Sequence, residues 1–324
     1  MDLSVTIGGV TFPCFISNAA GTVKTLHQME RIARSVSGAG RGGSYMPEVR
    51  AGNRGPRTWW ISEDKQTSLN ALGIPGPGYE KVREMAPAMA DALHKEGKPL
   101  VESIAATAPE GFGMMATLLN YGADMLEANM GCPNLWFEGQ QKPIISYHPE
   151  SFRACLQAIE KVIGASRMER VGVKVSPFFF DPVRLVEEAE VEIDALPPHP
   201  EVFPQIVEIM IQSGVSHVVA MNTVPRVRKK LADRTWAIHS PDVPEGYGGL
   251  AGPVVGSTAL EEIRRWREAL PDRIVIVGAG GVRADNIEAF LDAGAVAVQV
   301  ATEFYDRDDP RLFGEIATQY LKNV

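Results

Sequence analysis

Cysteine is scarce. Cys14, Cys132 and Cys155 are the three in 324 residues, and their spacing is irregular. That excludes a disulfide framework and any CxxC-based zinc or iron–sulfur site. It fits a reducing compartment, so a cytoplasmic location is expected. Histidine is sparse as well. The six are scattered without an HExxH or comparable pair, so no metal centre is expected. No apolar stretch approaches the ~18 residues that a membrane helix needs. The opening Met1-Asp2-Leu3-Ser4 lacks the basic-then-apolar pattern of a signal peptide. Excess positive charge is missing too: the formal net charge is −8, which excludes a general nucleic-acid binder with a basic face. Without low-complexity tracts, linkers or repeats beyond a strand–helix alternation, one domain spanning 1–324 is the economical reading.

With 45% hydrophobic and 22% charged residues, the chain can bury a sizeable core. Short β-like runs alternate with amphipathic segments. Strands are expected at 13–19, 39–44, 99–105, 124–130, 171–175, 217–222, 273–277 and 295–300. Helices are expected near 25–36, 79–95, 111–120, 149–163, 203–213, 257–269, 285–292 and 309–321. Eight strands alternating with eight helices is the count of an α/β protein of the (β/α)8 TIM-barrel type. The second strand, around Gly40-Arg41-Gly42-Gly43, has little β-propensity, but the register of the other seven requires it. Thr258 with Glu261 reads as a capping box, and Asp285 as the cap of a helix that Gly294 ends. Residues 5–12 read as a hairpin turning at Gly8-Gly9 and closing the bottom of the barrel. Three long loops, 45–78, 135–148 and 223–256, belong on the catalytic face if they follow strands. The basic run 226–230 reads as a solvated loop, with an anion site as the competing reading.

The most informative stretch is Asn129-Met130-Gly131-Cys132-Pro133-Asn134, which sets a thiol between two amides where the fourth strand ends. In a parallel barrel that end carries the chemistry; the competing reading is a small buried cysteine beside a proline turn. Two glycine clusters follow, Gly246-Tyr247-Gly248-Gly249-Leu250-Ala251-Gly252 and Gly278-Ala279-Gly280-Gly281-Val282, with Thr302 after the eighth strand. At these places in strand order, glycines let backbone N–H groups approach a phosphate. Lys174 lies in an apolar strand, where it either offers charge to a ligand or snorkels to the rim. Asn70, Asn129, Asn134 and Asn222-Thr223 stand at or near strand ends, and amides recognise a planar ligand rich in C=O and N–H groups.

From about residue 5 to 320 the chain resembles the dihydroorotate dehydrogenase family of FMN-dependent barrels. The matching pieces are Asn18-Ala19-Ala20-Gly21, Gly52-Asn53-Arg54-Gly55-Pro56-Arg57, residues 70–78, residues 129–134, Gly172-Val173-Lys174, Asn222-Thr223, residues 248–252 and residues 278–282. The resemblance implies an FMN whose phosphate sits at Gly248, Gly249, Gly280 and Gly281 with Thr302 nearby. It implies Ala20, Gly21 and Ser44 along the flavin, and Asn129 and Lys174 facing its ring. Asn70, Asn134, Asn222 and Thr223 are then the substrate-binding groups, and Cys132 is the base in oxidation of dihydroorotate to orotate, a step of pyrimidine biosynthesis. It also implies a homodimer.

Some positions depart from the family pattern. Gly43 stands where the soluble branch has a lysine beside the flavin, and Lys24, three residues after Gly21, is placed to supply that charge, as in the membrane-bound branch. Residues 135–143 are longer and more aromatic than in relatives. These departures leave open the same chemistry on another dihydropyrimidine or on a cyclic or enoyl acid. A reading from a different class is a non-redox phosphate-binding barrel, a lyase or synthase using Lys174. Fumarate, a quinone and a partner subunit are all open as the electron acceptor; with no cysteine cluster and no membrane segment in the sequence, a small soluble oxidant is favoured.

Overall fold

The computed structural model describes residues 2–323. Eight parallel strands form its centre: β1 (Ile16–Asn18), β2 (Gly40–Tyr45), β3 (Leu100–Ile104), β4 (Met125–Asn129), β5 (Val171–Lys174), β6 (His217–Ala220), β7 (Val275–Ala279) and β8 (Ala295–Val300). The ladder runs β1-β8-β7-β6-β5-β4-β3-β2. The barrel helices between the strands are α1 (Leu26–Ala33), α2 (Tyr79–His94), α3 (Pro109–Ala116), α4 (Pro149–Ile163), α5 (Val202–Ser213), α6 (Gly256–Ala269), α7 (Ile287–Asp292) and α8 (Arg311–Asn323); two further short helices not expected from the sequence, Pro182–Ala189 and Thr302–Arg307, directly follow β5 and β8. The expected (β/α)8 TIM barrel is the observed one. Its apolar core lies between the strand wall and helix faces such as Phe152, Leu156, Ile159 and Ile163 of α4, buried at helical spacing.

No ladder bonds join β1 to β2, yet the wall is closed there by a side chain. Asn18 Nδ2 donates to Arg41 O at 2.9 Å, and Arg41 N donates to Asn18 Oδ1 at 2.9 Å. A carboxamide carries one acceptor and one donor group, so it substitutes for a strand peptide. Just beyond it, Gly43 N donates to Val23 O at 3.0 Å.

β2 is fully buried along its length. Its glycines answer to packing rather than β-propensity: a Cβ on Gly40 would overlap Met29 of α1 and Leu93 of α2. β1 is shorter than the sequence suggests; residues 13–15 lead into it, with Phe15 N bonded to Leu3 O at 2.8 Å. Two expected caps are corrected. α6 begins at Gly256, so Thr258 lies inside the helix and its hydroxyl accepts from Arg184 Nη2 at 2.9 Å. α7 begins after Asn286, and Asp285 pairs with Arg283 at 3.4 Å instead of capping it. α3 starts at Pro109 and gives way to a 3-10 turn, Thr117–Asn120.

The hairpin of Val5–Ile7 and Val10–Phe12 turns at Gly8, whose backbone packs on Glu169 before β5 and on Met125 at the start of β4. It therefore covers the bottom of the barrel. At the top, two of the long loops are not irregular. They build an antiparallel sheet in the order Glu192–Ile193, Val224–Arg228, Gly248–Ala251, Ser68–Asn70, Thr58–Trp60. The basic run is thus largely a strand. Arg228 is ion-paired with Glu192 at 2.9 Å and Glu245 at 2.6 Å and lies 4.6 Å over the Trp236 ring, so it is neither a solvated loop residue nor free for an anion. In the third loop, Trp136–Phe137 pairs with Gln140–Gln141, and the Trp136 ring stacks on Tyr247 at 6.1 Å.

Candidate active site at the barrel mouth

Alternate residues of a strand share a face, so Glu127 and Asn129 of β4 both point inward, one below the other. Glu127 is fully buried. It accepts from Arg41 Nε at 3.1 Å and Gln299 Nε2 at 2.6 Å, and its other oxygen lies 4.0 Å from Lys174 Nζ. Burial alone would raise this carboxyl, but Lys174, Arg41 and the Gln299 amide together hold it below the usual carboxylate range. Lys174 caps the network. Its ammonium donates to Gln299 Oε1 at 3.2 Å, and burial lowers its pKa while Glu127 opposes that shift.

Above this layer the four expected amides pair with one another. Asn222 Nδ2 donates to Asn129 Oδ1 at 3.0 Å, and Asn134 Nδ2 donates to Asn70 Oδ1 at 2.9 Å. Asn129 continues to Ser44 Oγ at 2.9 Å, which bonds Ser103 Oγ at 2.8 Å. Asn53, in a segment that the resemblance matched, fixes Asn134 and the residue after Asn70: its Nδ2 donates to Asn134 O at 3.2 Å and Ala71 O at 2.7 Å. Lys24 reaches the same region from the loop after β1, donating to Ser44 O at 2.5 Å with its ammonium 5.2 Å from the Tyr45 ring centre. Burial lowers Lys24 to about 8, with Cys132 and Glu102 pulling the other way. Cys132 packs beside an apolar cluster of Met46, Ile74, Ala105 and Leu135. Burial pushes its thiol up to about 11, opposed by the Asn134 backbone N–H and by Lys24, Arg50 and Lys174.

A cavity of about 200 Å³ opens at this face. Ala20, Gly21, Asn70, Lys174, Asn222, Thr223, Gly280, Gly281 and Thr302, all named from the sequence, border it. Asn129 and Cys132 border a second cavity of about 370 Å³, between the strand end, the 135–143 segment and the start of α4. Lys24, Ser44 and Asn134 line neither; Ser44 is bonded to Asn129 and Asn134 to Asn70, which do, and Lys24 is joined to them through Ser44. The glycine assignment shifts. Gly248 and Gly249 belong to the antiparallel strand, where Gly249 faces Asn70, and they line neither cavity; Gly252 borders the first in their place. The cause is the pairing with Ser68–Asn70, which draws Gly248 and Gly249 into a ladder. The sequence reading also missed Thr58, Trp60, Gln66 and Arg283 on the cavity wall. The three before β3 lie in or beside short strands with no periodic signal, whereas Arg283, two residues past Gly281, was within reach of the motif.

The donor set suits FMN. Gly280 and Gly281 hold φ of 106° and 80°, and a Cβ on Gly281 would lie 2.8 Å from Gly252 O, so backbone is brought close to the cavity. α6 starts beside Val255 with no side-chain cap, leaving its first N–H groups for an anion. Thr223 Oγ1 is buried without a hydrogen-bond partner among the described residues, a donor awaiting an acceptor.

The family model described as dihydroorotate dehydrogenase matches residues 2–323. The catalytic subunit of dihydroorotate dehydrogenase B (NAD(+)) from Methanopyrus kandleri is 31% identical over 79% of this chain and 70% of its own length. Dihydroorotate dehydrogenase (fumarate) from Trypanosoma brucei brucei is 29% identical over 98% of this chain and 91% of its own. Among solved structures, DHODH from Eimeria tenella in complex with ferulenol superposes with a TM-score of 0.74 at 18% identity, covering 99% of this chain and 84% of that one. Among the described residues no helix is long and apolar enough to cross a membrane. A barrel wall ending in paired carboxamides, a buried lysine and a thiol, matched by that family along its whole described length, places this chain in the FMN-dependent dihydroorotate dehydrogenase family.

Proposed function

We propose that this protein oxidises dihydroorotate to orotate with FMN as its redox group, the whole chain working as one FMN-binding domain. The observation that carries the reading is the pairing of Asn129 with Asn222 and of Asn70 with Asn134, beside the unpartnered Thr223 hydroxyl. Each paired amide keeps hydrogen-bonding capacity for a planar ring bearing C=O and N–H groups. Gly252, Gly280, Gly281 and Thr302 hold the phosphate. Ala20, Gly21, Ser44 and Asn129 lie along the flavin, and Lys174 supplies positive charge. Bound FMN supplies the hydride acceptor. Cys132 takes the proton from the ring carbon, which requires its thiolate. Lys24 answers the substrate carboxylate in place of the lysine that Gly43 lacks.

Relatives named for fumarate and for NAD(+) support a soluble electron acceptor. Three free cysteines fit a cytoplasmic location, and a homodimer is part of the reading by resemblance. The test is anaerobic mixing of the purified yellow protein with L-dihydroorotate while the flavin spectrum is recorded. Rapid bleaching is expected. A flavin that stays oxidised would move the substrate to another cyclic acid, and a protein that takes up no FMN would overturn the reading of the cavity.

A further inference from the structure

Among the described residues two cationic side chains, Lys174 and Arg283, border the first cavity, Lys174 buried and Arg283 partly exposed. Lys174 is drawn into the barrel by Gln299 at 3.2 Å and Glu127 at 4.0 Å, which holds its ammonium against the strand wall. Arg283 stands at the other end, in the turn after Gly280 and Gly281. Asn286 cinches that turn: its Oδ1 accepts from Arg283 N at 2.8 Å and its Nδ2 donates to Gly281 O at 2.8 Å. Two side chains contact the guanidinium, and the carboxylates of Asp64 and Glu303 also interact with its charge. Nη1 donates to Gln66 Oε1, and Nε lies 3.4 Å from Asp285. A guanidinium has five N–H donors, so donors remain.

The same end needs positive charge. A phosphate monoester brings a charge of roughly −1.5 to −2 at neutral pH and three acceptor oxygens. Backbone N–H groups satisfy oxygens but do not neutralise that charge, whereas a guanidinium fork does both. Glu303 borders this end too and works against a phosphate, but Arg307 lies 3.7 Å from it. The Gln66 contact adds a mechanical consequence. Gln66 O packs against Gly252, Ser62 Oγ ties the turn by accepting from Gln66 N at 3.1 Å and Thr67 N at 2.9 Å, and Lys65 lies 3.9 Å from Asp306.

We propose that Arg283 is the counter-charge for the FMN phosphate, and that its bond to Gln66 holds the 62–67 turn across that end of the cavity. This rests on the FMN reading above. No part of it depends on Cys132 or on the identity of the substrate.

Flavin-stripped full-length protein is titrated with FMN and with riboflavin, which lacks the phosphate, following the quenching of flavin fluorescence. Arg283→Met weakens FMN roughly ten- to a hundredfold, the loss of a charge-assisted hydrogen bond, and leaves riboflavin within about threefold. Arg283→Lys keeps part of the preference. Gln66→Leu keeps the preference for FMN over riboflavin but speeds FMN release. Equal loss for both flavins, seen in Arg283→Met and Arg283→Lys alike, overturns the proposal by making Arg283 a structural residue; an unchanged FMN preference overturns it directly. Wild-type protein that binds neither flavin brings down the FMN reading itself.

Discussion

Cys132 faces conflicting demands. As the proposed base it needs to be a thiolate to accept a proton, yet its surroundings, chiefly burial, hold the thiol at about 11. From pH 7 to 10 its thiolate fraction therefore grows about tenfold per pH step of one. Flavin reduction at saturating dihydroorotate is expected to climb over that range with a slope approaching one. Lys24 imposes the opposite trend on binding, because burial lowers it to about 8 and its ammonium is lost above that pH. KM for a carboxylate substrate should then rise above pH 8 while kcat still increases. Stopped-flow reduction measured from pH 6 to 10 checks both, and a flat rate from 7 to 9 removes Cys132 as the base. Cys132→Ala should keep FMN bound and slow reduction by roughly 10²–10⁴-fold, the range of a lost general base; unchanged reduction would reject its role.

At the scale of elements, the segment 135–143 is anchored by aromatic contacts. Trp136 stacks on Tyr247 at 6.1 Å with ring planes 7° apart, and Arg226 lies 4.3 Å over the same Tyr247 ring. An aromatic pair of this kind is worth about 0.5–1.5 kcal/mol beyond its buried area. Trp136→Ala should leave the barrel folded, speed amide exchange across 135–143 and raise KM several-fold with a smaller change in kcat. Exchange confined to its wild-type rate would show that other contacts hold the segment. These contacts also mark where sequence reading stops. The barrel strands are legible because each is a short apolar run between helical patterns, and the amides are legible because they end those runs. The antiparallel sheet is not: Thr58–Trp60 and Ser68–Asn70 are three residues each, and Asn70 meets Gly249 far along the chain. Pairing at that separation leaves no local period. For the same reason Gly248 and Gly249 read as a phosphate loop when they are ladder residues, and Asn53's grip on Asn134 has no local signal.

Across the whole molecule, the carboxyls of Glu102, Glu127 and Glu262 are fully buried, and the first two, both on barrel strands, have opposite fates. Glu127 is held by Arg41 and Gln299, with Lys174 nearby, and is kept below the usual carboxylate range despite burial. Its contribution to stability is present above the unfolded value of about 4.3 and is lost as pH falls below it. Glu102 has no hydrogen-bond partner for either oxygen among the described residues, and burial pushes it up to about 8, with Lys24 pulling the other way. The folded chain therefore binds a proton that the unfolded chain releases between about pH 4.3 and 8. The stability carried by neutral Glu102 is full below that window and drains away as pH rises through it. Lys24 acts in a separate window: its folded value near 8 lies below about 10.4 for an unfolded lysine, so it adds stability only as pH climbs beyond 8. Burial pushes Glu262 up to about 8 and so adds to the same trend, while burial lowers His217 to about 4 and opposes it below about 6.5, so the difference between wild type and a Glu102 variant is what isolates Glu102. Replacing Glu102 with Gln, which cannot ionise, should change Tm little at pH 5 and raise it progressively toward pH 8. Thermal unfolding of both proteins at pH 5, 6.5 and 8 measures this directly. A Tm difference that stays constant across the three would mean that Glu102 does not change its protonation on unfolding, and that the buried carboxyl is ionised in the native barrel.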